Sequence, residues 1–284
     1  MQLSENNAKS FKGALYILLY LVIYMAARFI CSNIFTAIFI SNYQGDLKDK
    51  VYYQQFNYNL EAYLVKNTNL ILMVTSIVAV LIYLGIIKVR KKNLLNICLF
   101  SKFRIQFIFV ILTCAIFLNI IAVIILNYSY NNEMLSKYTL ELDSIYKSGS
   151  IAITILSTVV IVPIFEEILF RGLIFNELRD SINFQAAVII QAVIFSLWHY
   201  TIIQSVFAFF FGLLLCLCYL HSRSIWVPIS IHMLYNGLGY IIRELNYTNV
   251  IIRNRLYFFI FSFIAIVLTI YCMCRFLPAE KSCD

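Results

Sequence analysis

Glycine and proline are scarce in this chain, at 8 and 3 of 284 residues, and charged residues make up only 13%. A transmembrane β-barrel needs many turns and segments of about ten residues with alternating hydrophobicity, and neither is present. Intrinsic disorder needs low hydrophobicity and high charge, which excludes it. Ordinary soluble domains carry about 25% charged residues, so that class is excluded too. Apolar residues fill the space instead. The A, V, I, L, M, F, W, Y and C set makes up 62% of the chain, more than a globule of this length can hide. The composition predicts an all-α, polytopic membrane helix bundle.

Eight apolar runs are long enough, alone or with a polar extension, to be read as spans: Ala14–Ile40, Leu70–Ile87, Ile105–Leu126, Ile151–Leu178, Asn183–Trp198, Ile202–Leu220, Ile225–Ile242 and Leu256–Cys274. Backbone facing lipid must satisfy its own hydrogen bonds, so these runs should be helices. The first follows Lys9 and Lys12 as a signal peptide would, but it is too long for an h-region and is expected to stay as an anchor. Arg28 interrupts it. Formal net charge is +8. In a membrane protein this reflects the positive-inside bias and attraction to anionic lipid, so no nucleic-acid partner is expected. The loop Lys88–Arg104 carries six basic residues and should be cytoplasmic. Both termini, the Arg171–Asp180 region and the Arg223 turn then lie inside, as do Arg275 and Lys281. The loops Ser41–Thr68 and Asn127–Ser150 lie outside. Arg243, Arg253 and Arg255 fall outside as well, against the rule. The eight cysteines include the pairs Cys216/Cys218 and Cys272/Cys274. None has zinc-finger spacing, and all read as small apolar helix residues.

The informative part is Ile151–Tyr240. Glu166 and Glu167 stand side by side in an apolar stretch, and Arg171 follows. A charge at the bilayer centre costs roughly 2.5–3.5 kcal/mol, so these groups must be paired or face a wet cavity. Glu167 and Arg171 are spaced i, i+4 with the acid first, the favourable order for an ion pair. Glu166 is turned about 100° away and is the better candidate for a free carboxylate. Pro163 precedes it and is expected to kink the helix. His199 ends one run, and His232 and Asn236 share a face of another at i, i+4. Short links make these helices neighbours, so their polar faces can converge on an intramembrane cavity.

This set can activate water. Glu166 is the candidate general base and His199 its partner on the water, with His232 and Asn236 placed to stabilise an oxyanion. Glu166, His199 and His232 are equally the candidate ligands of a divalent metal such as zinc. No H-E-x-x-H occurs, and no G-x-S-x-G elbow supports a serine mechanism. A proton-coupled transporter and a non-catalytic scaffold are alternatives that use the same residues.

Glu166-Glu167-x-x-x-Arg171, Phe195-x-x-x-His199 and His232-x-x-x-Asn236 occur in this order on successive helices. The arrangement resembles the CPBP (CAAX protease and bacteriocin-processing, Abi) family of intramembrane proteases, which includes the type II CAAX prenyl proteases. The resemblance covers roughly Ile151–Tyr240 and sets a catalytic core at 150–245, leaving 1–149 as N-terminal helices and loops and 246–284 as a last span with a tail. It implies an eight-helix endopeptidase with Glu166 as base, His199 on the water, His232 and Asn236 as oxyanion stabilisers, and Glu167 and Arg171 in support. Family members are usually called metalloproteases. The substrate it implies is a peptide or membrane-associated protein, with a role in bacterial peptide maturation or bacteriocin immunity. The expected setting is a bacterial cytoplasmic membrane.

Overall fold

The computed structural model describes residues 2–43, 50–127, 133–199 and 201–276. Within them twelve helices follow one another: α1 Gln2–Asn42, α2 Lys50–Lys66, α3 Thr68–Val89, α4 Leu94–Ile97, α5 Phe107–Asn127, α6 Glu133–Tyr146, α7 Ile151–Arg179, α8 Phe184–Leu197, α9 Ile202–Ser222, α10 Trp226–Glu244, α11 Thr248–Arg253 and α12 Arg255–Phe276. No strand is present among the described residues. Each of the eight runs read as a span is helical. Five, namely α1, α3, α5, α7 and α9, are long and apolar enough to cross a membrane. The apolar parts of α8 and α12 are shorter. Helix α10 carries His232, Asn236 and Arg243; packing against α5, α7 and α9 shelters it from lipid. Large apolar side chains such as Phe29, Ile30, Phe261 and Ile264 point outward, as a bilayer solvent allows. This is an integral membrane protein.

Four segments expected as loops contain helices, α2, α4, α6 and α11. In α6, Leu135 and Tyr138 are spaced i, i+3 and buried, a local amphipathic pattern hidden by the polar composition around it. Helix α2 packs against α1 and α3. The remaining parts of those loops, 44–49 and 128–132, and the tail with Lys281 and Cys283 lie outside the described residues. The described cysteines Cys31, Cys98, Cys114, Cys216 and Cys218 are buried and free.

Helix α7 is central. It packs on α3 and α10 and changes hydrogen-bond register twice: Ile155–Ile161 and Ile168–Ile174 are π-helical, on either side of the α-helical turn Val162–Glu167. Pro163 is the second residue of that turn. Its missing N–H therefore coincides with the first return from wide to normal register, and the helix continues through it. Wide turns inside a helix re-aim side chains and are concentrated at functional sites.

Side-chain contacts define the two ends of the bundle. At one end, Arg90 donates to the Tyr20 hydroxyl at 2.7 Å, pairs with Glu177, and lies 3.6 Å from the Tyr16 ring centre. The basic loop after α3 folds back on this end: Asn176 Nδ2 donates to the Ile97 carbonyl at 2.9 Å, and the Ile225 N–H to that of Leu99 at 3.0 Å. Ser10 meets Ser181 here as well. At the other end, the Asn69 amide donates to the carbonyls of Ile145 and Ser148 at 2.7 and 3.1 Å. Arg243, one of the three arginines that fall against the charge rule, pairs there with Asp143 of α6.

Candidate active site

Three helices bring the candidate residues together. Glu166, Glu167 and Arg171 come from α7, His199 from the residues just after α8, and His232 and Asn236 from α10. Arg171 donates to Glu167 at 2.9 Å, and both side chains are fully buried. A second guanidinium nitrogen donates to the Gly212 carbonyl at 3.1 Å, and the guanidinium stacks 4.6 Å from the Phe195 ring centre. Gly212 matters because α9 comes close here: a Cβ would stand 3.1 Å from Phe195 Cδ1.

His232 lies between the two glutamates. Its Nδ1 is 2.9 Å from Glu167 Oε1, and its Nε2 is 3.7 Å from Glu166 Oε2. A carboxylate only accepts, so the proton of the first contact is on Nδ1. The second distance is too long for a direct hydrogen bond. Sequence spacing pairs Glu167 with Arg171, but the contact of His232 with both carboxylates crosses from α10 to α7, and no local pattern announces it. Phe211 and Phe195 stand edge-on to the His232 ring at 5.0 and 6.4 Å.

His199 Nδ1 is 2.8 Å from the Phe195 carbonyl. A carbonyl can only accept, so Nδ1 carries the hydrogen and the neutral ring has its lone pair on Nε2. This gives the Phe195-x-x-x-His199 spacing a mechanical meaning: one helical turn sets the tautomer. Asn236 Nδ2 donates to the Thr158 carbonyl at 2.8 Å. Thr158 belongs to the first π-helical stretch, where a carbonyl is displaced from its usual partner. Glu166 and His232 remain 8% and 5% exposed, and His199 and Asn236 are half-buried, so the cluster is enclosed but not sealed. The aromatic neighbour Phe211 and the Thr158 and Gly212 carbonyls escape sequence reading, because aromatic residues and backbone carbonyls occur throughout the chain.

Among the described residues no group of three or more His, Cys, Asp or Glu is placed to hold a metal ion. Glu167 occupies Nδ1 of His232 and the Phe195 carbonyl occupies Nδ1 of His199. Each ring keeps Nε2 clear of these contacts, as a metal-ligating histidine with its other N–H held by an acceptor does.

Residues 148–238 match the family model of type II CAAX prenyl endopeptidase Rce1-like proteins. This segment is similar to an Rce1-like domain. It contains every candidate residue from Glu166 to Asn236. Two curated relatives are similar to part of the chain. YdiL of Bacillus subtilis (strain 168), by name a candidate membrane peptidase, is 32% identical over 87 residues, covering 31% of this chain and 36% of that protein. The membrane-embedded CAAX protease MroQ of Staphylococcus aureus (strain USA300) is 33% identical over 129 residues, covering 43% of this chain and 51% of that protein. The chain thus spans between about a third and half the length of these relatives. No solved structure matches it.

Proposed function

We propose that this protein is an intramembrane endopeptidase that hydrolyses a peptide bond in a peptide or membrane-associated protein. The observation that carries the reading is Glu166 facing His232 across α7 and α10 at 3.7 Å, with His199 held through Nδ1 by the Phe195 carbonyl, all within the segment similar to an Rce1-like domain. The names of the relatives, a membrane peptidase and a CAAX protease, support it. The proposed setting is a bacterial cytoplasmic membrane with both termini inside, and peptide maturation or bacteriocin immunity is the proposed context.

In this mechanism water sits between Glu166 and Nε2 of His199. Glu166 takes one proton as the water oxygen attacks the carbonyl carbon, and His199 accepts a hydrogen bond from the other. Charge develops on the carbonyl oxygen. The second hydrogen of Asn236 Nδ2 and, in its imidazolium form, the Nε2–H of His232 are the donors for it. Collapse breaks the C–N bond, and Glu166 returns its proton to the leaving amine. The steps use the chain's own residues and leave water split across the two products.

The test is peptide cleavage in proteoliposomes, using membrane peptides encoded near this gene as probes. Glu166→Gln keeps the shape and removes the base. Its rate should fall at least ~10²-fold with the melting temperature unchanged. Wild-type activity in that variant would overturn the reading.

A further inference from the structure

Gln191 is a buried polar residue that the catalytic reading does not use. It stands in the middle of α8 and is fully buried, and neither its amide oxygen nor its amide nitrogen has a hydrogen-bond partner among the described residues. Burying an amide without a partner is costly, and an apolar side chain would fill the same space without that cost. One atom of the buried ion pair is in the same condition, the Nε of Arg171.

Helix packing brings the two groups to one level. Helices α7 and α8 run antiparallel: Phe175 meets Phe184 at 6.4 Å, and Phe170 meets Phe195 at 4.8 Å. Arg171 and Gln191 both lie between these contacts. Gln191 shares the buried face of α8 with Ala192 and Phe195, and the Phe195 ring carries the Arg171 guanidinium at 4.6 Å. From α9, the Gly212 carbonyl accepts from Arg171 Nη2 at 3.1 Å. A Cβ on Gly212 would stand 3.4 Å from the Cα of Ala192, the residue next to Gln191. On the planar guanidinium Nε and Nη2 share an edge, whereas Nη1 is the nitrogen on Glu167. The Nε–H is therefore on the side of the α8–α9 contact.

A donor and an acceptor that share a buried junction without bonding each other are what a water molecule satisfies, since it accepts from one and donates to the other. We propose that one bound water at the α7–α8–α9 junction bridges the Nε–H of Arg171 and the Oε1 of Gln191. The water holds the guanidinium in the orientation that serves Glu167 and the Gly212 carbonyl together. Gln191 is then a positioning residue. It acts through the water and Arg171 on Glu167, and through Glu167 on the Nδ1–H of His232. An apolar side chain in its place would leave Nε with one partner fewer. The site needs no substrate, so it stands even where the endopeptidase reading fails.

The test is NMR of the full chain in lipid nanodiscs, labelled with heavy nitrogen at arginine and histidine and protonated at phenylalanine in a deuterated background. The Arg171 Nε–H is identified by its contact with the Phe195 ring. In wild type it should show a rotating-frame cross-peak to water with the sign of dipolar contact, opposite to that of proton exchange. Gln191→Met keeps the length and removes the amide. It should lose this peak and shift the His232 Nδ1 resonance; Gln191→Leu serves the same purpose if the methionine variant does not fold, as read by melting temperature. The wild-type peak decides the water whether or not either variant folds. A resolved wild-type Nε–H with no water peak, or with one of the exchange sign only, would overturn the proposal. So would contact with the Gln191 amide alone, which means a direct bond, or a water peak that survives in the folded variant. A His232 resonance unmoved by loss of the peak would overturn the positioning role.

Discussion

Glu166 and Glu167 are chemically identical neighbours, and their surroundings assign them different work. Glu167 is fully buried, holds Arg171 at 2.9 Å and accepts from His232 at 2.9 Å. Glu166 faces His232 only at 3.7 Å and keeps some exposure. The i, i+4 spacing made the Glu167–Arg171 pair legible, since helix geometry alone determines it. The histidine bridge was not legible, because it depends on how α10 packs on α7. A buried pair with one partner removed leaves an uncompensated charge. Arg171→Ala should therefore cost about 3–5 kcal/mol in detergent unfolding. The double variant Glu167→Gln/Arg171→Met should recover most of that stability. If Arg171→Ala melts like wild type, the pair carries no structural load.

At the scale of the element, α7 departs most from expectation. Its apolar run and charges were visible, and Pro163 suggested a kink. The two wide stretches depend on which carbonyls find partners elsewhere, such as Thr158 with Asn236. The second stretch also contains Gly172, where a Cβ would stand 2.3 Å from Cys98 Sγ and 3.1 Å from its Cβ. The glycine is what lets the basic loop after α3 dock against α7. Gly172→Ala should destabilise the protein by about 1–3 kcal/mol, as overpacking does. Adding Cys98→Gly removes both close atoms and should return part of the loss. Equal losses in the single and double variants would show that the strain lies elsewhere.

For the whole molecule, contacts sort the segments into two ends. Ser10, the loop after α3, Ser181 and Arg223 share one end; α6, Ser148 and Arg243 share the other. With the basic loop placed in the cytoplasm, an impermeant maleimide on intact cells should label Tyr58→Cys in a cysteine-depleted background. Lys92→Cys should react only after permeabilisation, and the reverse pattern would invert the topology. Composition by itself determined the all-α membrane bundle, because 62% apolar residues leave no other way to satisfy backbone and solvent together. Periodicity determined where the helices run and which of their polar residues share a face. Only the tertiary structure decided that His232 lies between both glutamates and that Arg243 meets Asp143. Each of these contacts joins residues far apart in the chain, and side-chain spacing along one helix carries no information about the neighbour packed against it.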